Sequence, residues 1–127
     1  MAAYTNTTML ADTADVAGFM GEGVDTGYTV TMQDLKGVYT EAFLCNVLKY
    51  DAVTNWGSLN AIYKLMFSEY VARAIAVEAI RYTMRGEANT GFGSRVESED
   101  QINIHLFEMN KILELLNKAD VQDFLGV

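Results

Sequence analysis

The sequence predicts an all-α fold: four to five helices in a small bundle with one long central helix and an extended N-terminal arm. Three observations predict it. Apolar residues recur at spacings of three and four over three long stretches, the period of a buried helix face. Proline is absent from all 127 residues, where average usage gives about six, so no proline interrupts those stretches. Clusters of Gly, Asn, Asp and Thr separate them, and these residues build turns and helix ends.

Residues 1–8 are polar, uncharged and rich in threonine. They have little apolar surface to bury and read as a flexible arm. Thr13 caps a short helix through Met20, with Asp15 in its first turn, where the dipole favours negative charge. Val16, Phe19 and Met20 form its apolar face, and Gly21 stops it. Residues 22–30 are a loop. Thr31 precedes Met32-Gln33-Asp34, a weak capping box, and opens a helix to about Tyr50. Its expected core face is Leu35, Val38, Tyr39, Ala42, Phe43, Val47 and Leu48; Gly37 is a local weakness in it.

Asp51 to Gly57 is a turn region. Ser58 caps the longest helix, Leu59 to about Arg85, roughly 40 Å long at ~1.5 Å per residue. Its stripe runs from Leu59 and Ile62 through Tyr70 and Ala74 to Ile80 and Tyr82. That is wide enough for a helix packed on more than one side. Gly86 to Val96 is expected to be a loop. Ser98-Glu99-Asp100-Gln101 is a better capping box and opens the last long helix, to about Lys118. There Ile102, Leu106, Met109, Leu113 and Leu116 step by four, three, four, three. Two heptads are too few for a free coiled coil, so the seam reads as a core face, and Leu113→Ala is expected to cost ~2–5 kcal/mol. Asp120 caps a last turn carrying Val121, Phe124 and Leu125. No repeat or linker divides the chain. It reads as a single helical domain over residues 1–127, with 1–8 as arm and 119–127 as C-terminal tail.

The formal charge is −8, which argues against direct binding of duplex nucleic acid, since phosphate contacts need clustered Lys and Arg. The charge is uneven: −4 over residues 1–30, −1 over 31–57, +2 over 58–95 and −5 over 96–127. Acidic ends around a basic middle favour internal pairing or head-to-tail contact with a copy or partner. No apolar run is long enough for a membrane span. The first residues lack the basic start and apolar stretch of a signal peptide.

Little in the sequence points to chemistry. Cys45, the single cysteine, cannot form an intrachain disulfide and lies in the apolar run Ala42-Phe43-Leu44-Cys45, where it reads as a small core residue. His105 and Glu108 share a helix face at i and i+3. Di-iron bundles need two Glu-x-x-His elements and further glutamates, and here the order is reversed and the histidine single. Gly86 and Gly91 have P-loop spacing, but Phe92 stands where the phosphate-binding lysine belongs. Glu69–Arg73 and Glu78–Arg81 read as solvated pairs on the long helix. The expectation is a protein without catalytic residues, metal or cofactor. An enzyme or small-molecule binder would instead place a polar pocket around His105, Glu108 and the Arg95 loop. The seven tyrosines suit a protein-contact surface as well as a core.

The order of parts carries one resemblance. A short helix (ADTADVAGFM) precedes a polar loop, then a helix from Met32 and a longer one containing Tyr70-Val71-Ala72-Arg73-Ala74-Ile75-Ala76-Val77-Glu78-Ala79-Ile80. A loop ending Gly93-Ser94-Arg95-Val96 leads into an acidic and then amphipathic closing segment, GSRVESEDQINIHLFEMNKILELL. Over residues 10–118 this resembles the small helical head–tail connector, or adaptor, proteins of tailed bacteriophages. The resemblance implies a virion protein forming a ring of identical subunits between the portal and the tail or stopper proteins. DNA would only pass through the lumen, and no membrane would be involved. It also implies docking through the chain ends: Tyr4 in the arm, and Val121, Phe124 and Leu125 in the tail. Phe92 and Arg95 would be loop contacts. The alternative is a small intracellular helical protein that binds another protein or regulates as a dimer.

Overall fold

The computed structural model describes residues 4–21, 24, 27–86 and 92–118, with side chains for all of these except 85–86 and 92–97. It is all-α, and no strand occurs among the described residues. Four α-helices follow in order: α1 (Ala14–Met20), α2 (Val30–Leu48), α3 (Ala61–Gly86) and α4 (Phe92–Leu116), with a 3-10 turn at Trp56–Ser58 before α3.

The central helix is α3, which packs against each of the other three. Phe67, Val71, Ile75, Ala76 and Ala79 are fully buried along it. Small residues at Ala72, Ala74, Ala76 and Ala79 let neighbours approach from several sides, as a helix enclosed by others requires. Its start departs from the sequence expectation. Asn60, not Ser58, is the capping residue, and its Oδ1 accepts from the Ile62 amide at 2.9 Å. Ser58 instead closes the 3-10 turn, where its hydroxyl donates to the Asn55 carbonyl. Ile62, expected in the core stripe, is 69% exposed.

α4 begins earlier than its capping box suggests. Phe92 to Ser98 are helical, so the expected interhelical loop is shorter and Gly93-Ser94-Arg95 lies in the first turn. A capping box ends a helix only if the residue before it leaves helical geometry. Arg95-Val96-Glu97 contains no proline or glycine, so propagation costs little. The buried side of α4 is His105, Ile112 and Leu116. The predicted seam is therefore correct at Leu116, half-buried at Ile102, Met109 and Leu113, and wrong at Leu106, which is 42% exposed.

The largest departure is α2, whose expected apolar face points outward except at Leu48, which is buried. Leu35, Val38, Tyr39, Phe43 and Val47 are 64, 37, 65, 41 and 37% exposed. The side against the core carries Gln33, Asp34, Gly37, Thr40 and Glu41, followed by Leu44 and Leu48. The cap shifts too: Thr29, extended at ψ 166°, accepts from the Met32 amide, where Thr31 was expected.

The N-terminal segment explains this inversion. Residues 4–10 are non-helical and lie along the inner side of α2, so their amide groups need partners that a sheet would otherwise supply. The polar residues of α2 are those partners. Asp34 accepts from Thr5 Oγ1 at 2.9 Å, from the Asn6 amide at 3.2 Å and from Asn6 Nδ2 at 3.0 Å. Glu41 Oε2 accepts from the Thr8 and Met9 amides, both at 2.9 Å. From the other side, Ser68 Oγ of α3 donates to the Met9 carbonyl at 2.6 Å. Met9 and Leu10 are buried. The expected flexible arm is, from Tyr4 onward, a strap held between α2 and α3.

Gly37 is where the strap passes. A Cβ there would lie 2.6 Å from Thr7 Cγ2 and 3.3 Å from Ile75 Cδ1. The residue read as a weakness of the helix is the clearance that lets strap, α2 and α3 meet.

Candidate assembly surface

Turning the polar residues of α2 inward leaves a continuous apolar surface outside. On a helix of 3.6 residues per turn, Leu35, Tyr39, Ala42 and Asn46 fall in one line, with Val38 to one side and Phe43 to the other. No carboxylate lies on this surface, because Asp34 and Glu41 are 4 and 3% exposed on the opposite side. Its charges are Lys36, whose ammonium lies 5.3 Å from the Tyr39 ring centre, and the exposed Lys49 at the C-terminal end. Lys49 sits in the left-handed region at φ 53° and closes the helix. The surface runs into a groove of about 190 Å³ walled by Tyr39 and Phe43, with Tyr70 and Ala74 of α3 and Met109 of α4 lining it. Aromatic and methionine side chains of this kind are over-represented at protein contacts. Exposed apolar patches that exceed those of ordinary monomers mark interaction sites.

A second cluster lies between α1, α3 and α4. Arg73 Nε pairs with Glu69 Oε2 at 2.9 Å. Its Nη1 donates to His105 Nδ1 at 3.0 Å, and its guanidinium lies over the Phe19 ring, 4.5 Å from the centroid. His105 Nε2 lies 3.0 Å from the Phe19 carbonyl. Arginine has no acceptor, so Nδ1 must be unprotonated and Nε2 must carry the hydrogen. The carbonyl it reaches is one of those that the last turn of α1 leaves without an intrahelical partner. Burial lowers the His105 pKa, the Phe19 carbonyl opposes this, and the positive charge of Arg73 adds to the lowering. The cluster joins α1, α3 and α4 through one neutral imidazole. Arg73, read from sequence as half of a solvated pair, is only 15% exposed.

The strap has its own electrostatics. Burial raises the Glu41 pKa, the Met9 and Thr8 amides lower it in part, and Asp34 raises it. Tyr4 donates its hydroxyl to Gln33 Oε1 at 3.0 Å and is 8% exposed. Burial first, then Asp15, Asp34 and Asp12, hold the phenol well above its usual range.

Of the contact residues expected from the sequence, Tyr4 is thus part of the folded core, with its ring and hydroxyl already engaged. Val121, Phe124 and Leu125 lie outside the described residues. Phe92 and Arg95 lie in the first turn of α4, and their side chains are outside the described set. Glu108 lies 3.9 Å from Lys111, and both nitrogens of His105 are engaged, so the pair does not converge on one point. Among the described residues no three His, Cys, Asp or Glu side chains gather as a metal set. Cys45 is half-buried. No described helix is long and apolar enough to cross a membrane.

The sequence missed the outward face of α2 as a surface. Its signal was present in the polar residues Gln33, Asp34, Thr40 and Glu41, which share a helical face as regularly as the apolar ones. No protein-family profile, curated protein or solved structure matches this chain.

Proposed function

We propose that this protein is a structural subunit that works by assembling with copies of itself and does no chemistry. The assembly we propose is the head–tail adaptor ring of a tailed bacteriophage, placed in the virion between the portal and the tail or stopper proteins. One observation carries the self-assembly reading: α2 presents Leu35, Tyr39 and Phe43 to solvent while its acids are spent inside the monomer. A monomer that worked alone would have no use for this arrangement, because exposing large side chains gives up about 1.5–3 kcal/mol each relative to burying them. The order of helices read from the sequence supports the particular assembly.

Mass measurement by light scattering tests both levels. The chain alone, titrated upward in concentration, is expected to leave its 14.1 kDa monomer mass. Mixed with a portal ring, it is expected to give closed rings in electron micrographs. A chain that stays monomeric under both conditions contradicts the reading. A discrete dimer that never grows, with or without portal, favours the regulatory alternative.

A further inference from the structure

We infer that α1 is an acid-released cover: protonation of His105 melts this short helix off α3 and α4 while the three longer helices stay folded. The inference concerns the single chain and does not rest on the assembly reading above.

The joint that holds α1 accommodates one protonation state. His105 is 7% exposed. Its Nδ1 accepts from Arg73 Nη1 at 3.0 Å, and its Nε2 hydrogen meets the Phe19 carbonyl at 3.0 Å. The Phe19 ring stands edge-on to the imidazole, 5.9 Å between centroids, with its face under the Arg73 guanidinium. A second proton would sit on Nδ1 and point at a donor that cannot become an acceptor. It would also set two positive charges side by side in a partly buried place. The neighbouring acids do not offset this. On α3, Glu69 is already paired with Arg73. On α4, Glu108 lies 3.9 Å from Lys111. On α1 the one charged residue, Asp15, bonds the Ala11 and Asp12 amides at the other end of the helix.

Proton linkage then selects the state that acid favours. Burial, most of all, holds the imidazole below its ordinary 6.5; the Phe19 carbonyl opposes this and Arg73 adds to it. Any state that returns His105 to water therefore gains population as pH falls. Moving α4 would uncover it, but α4 has 25 residues and is anchored by the buried Ile112 and Leu116. Moving α1 is easier. It has seven residues, of which Val16 alone is buried, and even helices of about 12–15 residues are marginal on their own in water. Gly18 weakens it further, and nothing lies within 4 Å of the Cβ that this residue lacks. Its flanks are held independently, because Leu10 in the strap and Tyr28 before α2 are both buried. The helix can melt between these two fixed points, a local opening less costly than any that frees α4.

Hydrogen exchange of the full chain between pH 7.5 and 5.5, corrected for intrinsic rates, tests this. NMR of the single histidine reports its protonation over the same range. The Ala17 and Gly21 amides, bonded to the Thr13 and Ala17 carbonyls, are expected to open more readily than those of Val71 and Ile75 at every pH. Their opening is expected to rise as the imidazole titrates, by at most about tenfold per pH unit, because one proton is linked. His105→Gln keeps a donor for the Phe19 carbonyl and an acceptor for Arg73, and it is expected to abolish the rise. Gly18→Ala is expected to lower α1 opening about fivefold at each pH, the ~1 kcal/mol by which alanine exceeds glycine in a helix. If the α1 amides exchange in step with those of α3, acid acts only through global unfolding and the proposal is overturned. A rise that persists in His105→Gln overturns it too, as does flat α1 opening across the imidazole titration. So does α1 opening that is indifferent to Gly18→Ala.

Discussion

Burial and the Arg73 charge hold His105 in its neutral form, and that has a thermodynamic consequence. The fold favours neutral imidazole, so the histidine pKa in the folded chain lies below its ordinary 6.5. Below that pH the unfolded chain takes up a proton that the folded chain refuses. Its contribution to stability is therefore complete above about pH 6.5 and is lost as pH falls from there toward the lowered folded value. Urea midpoints at pH 7.5 and 5.5 check this: the wild type is expected to lose stability on acidification, and His105→Gln to lose less. Equal slopes would contradict the account. Glu41 works in the opposite sense. Its raised pKa means that its stabilising contribution is present below its ordinary 4.5 and is lost as pH rises through the folded value.

Asp34 makes a second prediction at the same scale. Its carboxylate serves Thr5 and Asn6 and is 4% exposed. Asp34→Ala leaves those donors without their partner, which costs about 1–3 kcal/mol for a buried group. The strap is expected to respond first. Hydrogen exchange at Asn6 should rise well before exchange in α3 does, and equal protection in both would contradict the role given to Asp34.

At the scale of the element, three leucines of α4 separate by burial. Leu116 is fully buried, so Leu116→Ala is expected to cost ~2–5 kcal/mol. Leu106→Ala, at a position 42% exposed, is expected to stay within about 0.5 kcal/mol, and Leu113→Ala to fall between them. Thermal midpoints of the three variants rank them; a costly Leu106→Ala would restore the heptad seam.

The same helices mark how far sequence can be read. The period of three and four found α1, α2 and α3 because their residues do repeat with the helix. It does not say which side of the repeat faces the core. For α3 the two agree from Phe67 onward, where its small residues and its apolar residues share the buried sides, while Ile62 in its first turn faces out. For α2 they disagree, because an extended segment some thirty residues earlier in sequence needs buried acceptors, and no local pattern encodes that partner. The start of α4 was hidden for another reason: Ser98 is a good cap, but caps only compete with propagation. The cluster of Arg73, His105 and Phe19 brings together three helices, and spacing along one helix is blind to it.

For the whole molecule, folding and the proposed assembly draw on different sides of one helix. Substitutions on the outer side of α2 are expected to leave the monomer intact. Tyr39→Ser should change its unfolding free energy by no more than about 0.5 kcal/mol, measured by urea denaturation at a concentration where the chain is dilute. A loss of several kcal/mol would mean that Tyr39 supports the core.

The inverted α2 also leaves a mark that time would preserve. In an ordinary amphipathic helix, drift over generations is slow at the apolar positions and fast at the polar ones. Here the monomer needs Gln33, Asp34, Gly37 and Glu41, and it would tolerate almost anything at Leu35, Tyr39 and Phe43. Descendants of this chain that kept the first group and let the second become polar would be chains that had given up their neighbours. Descendants that kept both would still be building something. The history of seven positions on one helix thus records whether this molecule has ever worked alone.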